Sequence, residues 1–154
     1  MIKSLKKNKT LYLKNKIVNT LMKNGKKTTG EKILLKSLKS LQKSTNKNFK
    51  ILLHSAITNS ASAFKVNEQA VKKGKRKATK NIPSFIIDDS LRITTALKLL
   101  TKTSSKNKSS DFLYKKLVAE ILSSSALKSQ SVDQKNEIQK QILLNKRYLA
   151  KFRW

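Results

Sequence analysis

One segment of this sequence has no helical repeat: residues 64–87 read FKVNEQAVKKGKRKATKNIPSFII. Apolar residues at both ends flank a basic centre, and Gly74 lies within that centre. Two short arms around a glycine-containing tip predict a β-hairpin. A disordered basic loop is the alternative that this pattern leaves open.

Helical spacing of apolar residues occurs in six other places. One proline, few glycines and many Leu, Lys, Ile and Ala favour helices throughout. We therefore predict a mainly α protein, a six-helix bundle with a basic β-hairpin arm at 64–87 between helices three and four. We expect a single domain over 1–154, with a basic N-terminal extension at 1–10 and a first helix over about 11–24.

Polar residues mark the expected helix boundaries. Asn24-Gly25 suits a left-handed turn after the first helix. Ser, Thr and Asp side chains accept hydrogen bonds at helix starts, and Glu or Gln three residues later completes a capping box. On this basis we predict capping boxes at Thr28–Glu31 and Ser131–Gln134, N-caps at Asp88, Asp89 and Ser90, and a Ser/Lys-rich linker over 101–110.

The charge of the chain is strongly positive. Lys and Arg number 36, Asp and Glu number 8, and the net charge is +28. Such a charge destabilises a compact state unless a polyanion neutralises it, which favours nucleic acid first and a membrane surface second. Codon bias in an AT-rich genome is the alternative, since Lys outnumbers Arg 32 to 4, but it does not explain the scarcity of Glu.

Several classes of protein lack support in this sequence. Without cysteine there is no disulfide, thiolate catalysis or Cys-based zinc site. His54 is the single histidine and has no sequence partner for metal binding or general-base catalysis. We expect no catalytic residue, no metal, no cofactor and no enzyme activity. No apolar run reaches the roughly 20 residues that span a bilayer, so we expect no membrane partner.

Three basic elements are candidates for RNA binding. Residues 65–80 carry seven basic residues and one acid, Glu68, and such dense like charges repel unless phosphates lie among them. The pair Lys26-Lys27 follows Gly25 in a tight turn. The chain end, RYLAKFRW at 147–154, interleaves basic and aromatic residues that can stack on unpaired bases. A solvated loop and a packed C-terminal helix are the structural alternatives.

Several short motifs also follow one another in a characteristic order. They are KNGKK at 23–27, EKI at 31–33, IP at 82–83, ALKLL at 96–100, LVAEIL at 117–122, Lys135 with Glu137, and a chain end with Arg147, Ala150, Phe152, Arg153 and Trp154. Their order and spacing resemble the family of small-subunit ribosomal protein seven, over about 11–154. The sequence departs from that family at the hairpin tip, at Asp88-Asp89-Ser90, at Lys98 and at Lys151.

The resemblance implies a structural constituent of the small ribosomal subunit that acts in translation. It implies binding to the 3′ major domain of small-subunit rRNA, nucleation of head assembly, neighbouring small-subunit proteins, and a place near the exit-site tRNA and the mRNA exit path. We expect RNA contacts at Lys3, Lys6, Lys7, Lys26, Lys27, Lys72, Lys73, Lys75, Arg76, Lys77, Lys80 and Arg147. Lys151, Arg153 and Trp154 would lie at the exit site or a protein neighbour.

The compartment and the partner class have alternatives. The Lys and Asn bias together with the departures favours a mitochondrial ribosome, then a plastid one, then a bacterial cytoplasm. The same charge would also serve a non-specific DNA-binding architectural protein, or an amphipathic membrane-active protein. The repeated capping signals favour a folded bundle over the membrane-active form.

Overall fold

The computed structural model describes residues 2–45, 48–73 and 76–145, and it describes side chains over 12–45, 48–67 and 81–145. The described elements are α1 Ile2–Leu21, α2 Lys27–Ser44, α3 Phe49–Ser60, β1 Phe64–Lys73, β2 Arg76–Phe85, α4 Asp89–Lys106, α5 Leu113–Ser125 and α6 Gln130–Leu144. The two strands pair antiparallel. The predicted helical architecture with a hairpin between the third and fourth helices is confirmed.

The main hydrophobic core lies among α1 to α5. Val18, Leu41 and Leu100 are almost completely buried there. Removing one such side chain from water stabilises the fold by about 1.5–3 kcal/mol, so this core holds the helices in place. The helical spacing of Leu34, Leu35, Leu38 and Leu41 predicts one apolar stripe for α2. Leu35 is instead 54% exposed, because it lies beside that stripe.

Gly30 of α2 packs closely against α1. A Cβ at this position would lie 3.3 Å from the carbonyl oxygen of Val18 and 3.6 Å from its Cγ1. Gly30 is buried, so its missing side chain lets the two backbones pack directly against each other. The turn that precedes it contains Asn24 at φ 52° and Gly25 at φ 72°, which confirms the predicted left-handed turn.

The first helix starts earlier than predicted. It begins at Ile2 rather than near Leu11, and it therefore includes residues 2–10, which we described as an extension. Lysine is a good helix former, so a lysine-rich segment can continue the helix although it lacks the apolar stripe from which a helix is predicted.

Two predicted capping boxes are wrong. Helix α2 begins at Lys27, and Lys26 occupies its N-cap without a side-chain hydrogen bond, because the turn at Asn24-Gly25 leads straight into the helix. Helix α6 begins at Gln130, and the hydroxyl oxygen of Ser129 accepts from the backbone N–H of Val132.

The predicted linker over 101–110 is partly wrong, because α4 continues to Lys106. Thr103 and Ser104 are buried, and their hydroxyls donate to the carbonyl oxygen of Leu100 at 3.0 and 2.5 Å. Hydroxyls that are satisfied inside their own helix can lie in a core, so small polar residues extend this helix instead of ending it.

A buried cluster of hydroxyls joins α3, α5 and α6. Ser60 Oγ lies 2.9 Å from Ser124 Oγ and 3.3 Å from Ser131 Oγ, and Ser131 Oγ lies 2.8 Å from Ser129 Oγ. The carboxylate of Glu120 accepts from the backbone N–H of Ser131 at 3.2 Å. Close packing of three helices would otherwise bury these polar groups without a partner, and the hydrogen bonds satisfy them.

Candidate RNA-binding surface

The outer end of the hairpin concentrates basic residues on paired backbone positions. The register places Lys72 opposite Lys77 and Lys73 opposite Arg76. Like charges at directly opposite positions destabilise an antiparallel pair. Ten residues per strand at about 3.4 Å each give an arm of roughly 30 Å, so these four backbone positions lie at the end of the arm that is farther from the core.

The base of the hairpin is fixed to α4. The rings of Phe64 and Phe85 meet edge to face at 5.4 Å, and the backbone N–H of Ile86 donates to the carbonyl of Ala63 at 2.9 Å. Arg92 Nε donates to the carbonyl of Ile86 at 2.8 Å, and its guanidinium lies over the Phe85 ring. These contacts direct the arm from the first turn of α4.

The N-caps predicted at Asp88, Asp89 and Ser90 are partly wrong, because α4 already begins at Asp89. Asp88 occupies the N-cap without a side-chain hydrogen bond. Asp89 lies in the first turn, 3.6 Å from Arg92 Nη1. Arg92, the cation nearest to this helix start, is therefore occupied by contacts within the protein and holds the arm.

Of the predicted pair, Lys26 lies at the N-cap of α2 and Lys27 is the first residue of that helix, and both side chains are exposed. The backbone N–H of Lys27 donates to the carbonyl of Gly25 at 2.8 Å, which makes the turn tight. This turn is separate in sequence from the hairpin, and its two cations extend the basic surface to the start of α2.

The other predicted basic residues divide into described and undescribed positions. Lys3, Lys6 and Lys7 lie in the first two turns of α1. Lys80 lies in β2 opposite Gln69. Lys75, Arg147, Lys151, Arg153 and Trp154 lie outside the described residues.

A polar contact joins α1 to the start of α4 beside the hairpin base. Tyr12 Oη lies 2.8 Å from Ser90 Oγ, and Lys16 Nζ donates to the carbonyl and the hydroxyl of Ser90, both at 2.6 Å. The Lys16 ammonium, and after it the Ser90 hydroxyl, lowers the pKa of Tyr12 below its ordinary value of 10.0. The contact orients α1 against the helix that carries the arm.

Acidic partners are scarce among the described side chains. In that part of the chain, ion pairs join Asp89 to Arg92 and Asp111 to Lys115. Most described lysines therefore keep an uncompensated charge. A polyanion that covers this surface would remove their mutual repulsion.

Sequence reasoning missed a groove between the end of α1, the second half of α4 and the start of α5. Its volume is ≈ 300 Å³, and Lys23, Lys98 and Lys102 line it together with hydroxyl and leucine side chains. The i,i+4 spacing of Lys98 and Lys102 was visible in the sequence. The prediction of a linker from residue 101 places Lys102 outside the helix of Lys98, so it does not put the two lysines on one helix face.

Other chemistry has little support in the described part of the chain. No group of three or more His, Cys, Asp or Glu side chains there could hold a metal ion. His54 lies exposed on α3. Over the same ranges, no helix combines the length and apolar character needed to cross a bilayer.

A helical body with a cationic two-stranded arm and largely unpaired lysines defines a class of polyanion-binding structural proteins. The sequence profile of the family described as ribosomal protein S7p/S5e matches residues 2–146. The chain belongs to this family, and the resemblance seen in its motifs is confirmed. The family is one of structural ribosomal proteins and not of enzymes, so the chain has a structural role in the small ribosomal subunit, in translation. Its partners are small-subunit rRNA and ribosomal proteins.

Proposed function

We propose that this chain binds the 3′ major domain of small-subunit rRNA as a single RNA-binding domain and nucleates the assembly of the subunit head. The observation that carries the proposal is the hairpin register, which pairs Lys72 with Lys77 and Lys73 with Arg76. Two adjacent pairs of like charges on an arm of this length call for phosphates on both sides. A folded RNA supplies such phosphates across a groove.

The mechanism is charge neutralisation from several elements at once. The hairpin cations Lys72, Lys73, Arg76 and Lys77 enter an RNA groove. Lys80 enters it with them, as does Lys75, which lies outside the described residues. Lys26 and Lys27 bind phosphates beside the first turn of α2, and Lys3, Lys6 and Lys7 extend the contact along α1. Each neutralised phosphate releases counterions, so binding from several directions draws separate RNA helices together.

The chain end completes the proposal. Arg147 binds RNA, and Lys151, Arg153 and Trp154 contact a protein neighbour or the exit site, near the tRNA and the mRNA exit path. The support is their alternation of basic and aromatic residues, which suits unpaired bases. We further propose a mitochondrial ribosome, on the excess of Lys over Arg and the departures from the family pattern.

The test is a salt titration of binding to a 3′ major domain transcript. The variant Lys72→Ala, Lys73→Ala, Arg76→Ala, Lys77→Ala removes four charges from the arm. A matched control removes four exposed helix charges, as Lys39→Ala, Lys43→Ala, Lys50→Ala, Lys140→Ala. If all four arm residues contact phosphates, the slope of log K against log salt falls by about 3–4 in the arm variant.

Two outcomes would contradict the proposal. Equal slope changes in the arm variant and its control would remove the arm as a contact site. Preference of the unaltered chain for duplex DNA over the transcript, at fixed salt, would favour a DNA-binding architectural protein instead.

A further inference from the structure

We infer that the groove formed by α1, α4 and α5 binds one unpaired ribonucleotide of the rRNA, an inference that rests on the proposed function. The groove lies away from the arm. Along α4, Lys102 is about 15 Å from Arg92, which holds the hairpin base. A nucleotide bound here would therefore be distinct from those along the hairpin.

The cations of the groove lack acidic partners. Lys23, Lys98 and Lys102 are exposed, and none takes part in the two ion pairs found among the described side chains. Lys98 and Lys102 are four residues apart on one helix, a spacing at which like charges repel. A phosphodiester between their ammonium groups and that of Lys23 relieves this repulsion.

The hydroxyls of the groove are left as acceptors. Thr20 donates to the carbonyl of Ile17 at 2.8 Å, Thr101 to that of Lys98 at 3.0 Å, and Ser105 to that of Thr101 at 2.8 Å. With their protons used inside their helices, the three oxygens keep lone pairs for a donor. A ribose 2′-OH or a base N–H is such a donor, whereas the phosphodiester group of the backbone carries none.

The remaining wall is apolar. Leu21, Leu113 and Leu117 line it, and Leu21 and Leu117 are less than one-tenth exposed. At ≈ 300 Å³ the groove reaches the lower end of the range of about 300–1,000 Å³ typical of small-ligand sites. An anion, a hydrogen-bond donor and a flat apolar face occur together in a ribonucleotide whose base is unpaired.

The experiment uses the full chain and a 3′ major domain transcript that contains 4-thiouridine. Photo-crosslinked peptides are mapped by mass spectrometry, and affinity is measured in parallel. Ser105→Trp fills the groove without changing the charge, and Lys98→Ala with Lys102→Ala removes two of its cations. The control for charge is Lys50→Ala with Lys140→Ala, and circular dichroism reports that each variant is folded.

We expect the unaltered chain to crosslink within the peptides of α4 and α5 that line the groove. Ser105→Trp abolishes that crosslink and weakens binding by roughly tenfold, as for one lost base contact. The double lysine variant lowers the salt slope by about 1.4, and a deoxynucleotide at the crosslinked position weakens binding.

The inference is overturned if the unaltered chain binds the transcript but no crosslink maps to the groove. It is equally overturned if both groove variants behave as the control does. Failure of the proposed function is distinguishable, because the unaltered chain would then show no preference for the transcript over duplex DNA.

Discussion

The guanidinium carbon of Arg92 lies 5.1 Å from the centre of the Phe85 ring, so the first turn of α4 supports the last residue of the hairpin. The same side chain donates to the carbonyl of Ile86 and pairs with Asp89. A planar guanidinium can do these things together because its donors diverge from a rigid plane that also stacks. Arg92 therefore links the start of α4 to the base of the hairpin.

We predict that Arg92→Lys lowers the free energy of unfolding by about 1 kcal/mol, since it keeps the charge but loses the stacked plane and its Nε donor. Urea unfolding measures the change. Asp89→Asn is the control, because the Asp89 side chain is 90% exposed and its ion pair contributes about 0–1 kcal/mol. A loss no larger than that of the control would show that Arg92 does not hold the arm.

Ser124→Val tests the hydroxyl cluster between α3, α5 and α6. The change removes a hydrogen-bond partner from Ser60 and puts a bulkier side chain in a fully buried position. We expect a loss of about 1–3 kcal/mol in the free energy of unfolding. Ser123→Ala is the control, since its hydroxyl bonds only within α5. Equal effects of the two substitutions would refute the role of the cluster.

Gly30→Ala combines two effects of opposite sign on the free energy of unfolding. Alanine favours a helix over glycine by about 1 kcal/mol, but the new methyl meets the backbone of α1 at Val18. That backbone belongs to a packed helix and yields poorly, so we expect overpacking of about 1–3 kcal/mol to exceed the gain. Thermal unfolding measures the balance, with Thr29→Ala, at an exposed neighbouring position, as the control. A raised melting temperature for Gly30→Ala would contradict the close approach.

The phenol of Tyr12 should ionise below pH 10.0 in the folded chain, because the Lys16 ammonium and the Ser90 hydroxyl favour its anion. The lowered pKa adds nothing to the free energy of unfolding at neutral pH. Its stabilising contribution begins as the pH rises through the folded-state pKa and is complete above 10.0. Ultraviolet titration against Tyr12→Phe isolates this tyrosine from the others. Lys16→Met should raise its pKa, and an unchanged titration would exclude the contact in solution.

Sequence patterns predicted elements better than their boundaries. Helix α5 and the hairpin could be predicted, because a helix repeats its apolar residues at 3.6-residue spacing and the segment at 64–87 lacks that repeat. The end of α4 could not, because Thr103 and Ser104 are polar residues that its core accepts only through hydrogen bonds to their own helix. Serine-rich segments carry the same local signal in a linker and in such a helix.

Candidate residues could be proposed from the sequence where basic residues follow one another in the chain. They could not be proposed where the fold brings together lysines from distant segments. The basic residues of the hairpin and the pair Lys26-Lys27 are clusters in sequence, so counting residues was enough to propose them as candidates. Lys23 and Lys98 are far apart in the chain and line one groove only because α1 packs beside α4. The role of Arg92 inside the protein depends on its contacts with Phe85 and Ile86, which the sequence does not show.

The facing cations of the hairpin, Lys72 with Lys77 and Lys73 with Arg76, give dissolved ions two opposed effects. In the free protein, added salt shields the repulsion across the strands and strengthens their pairing. In the complex, the same salt competes with the lysines for phosphates and loosens the RNA. The ionic strength at which the arm is best formed alone is therefore higher than the one at which it binds most tightly.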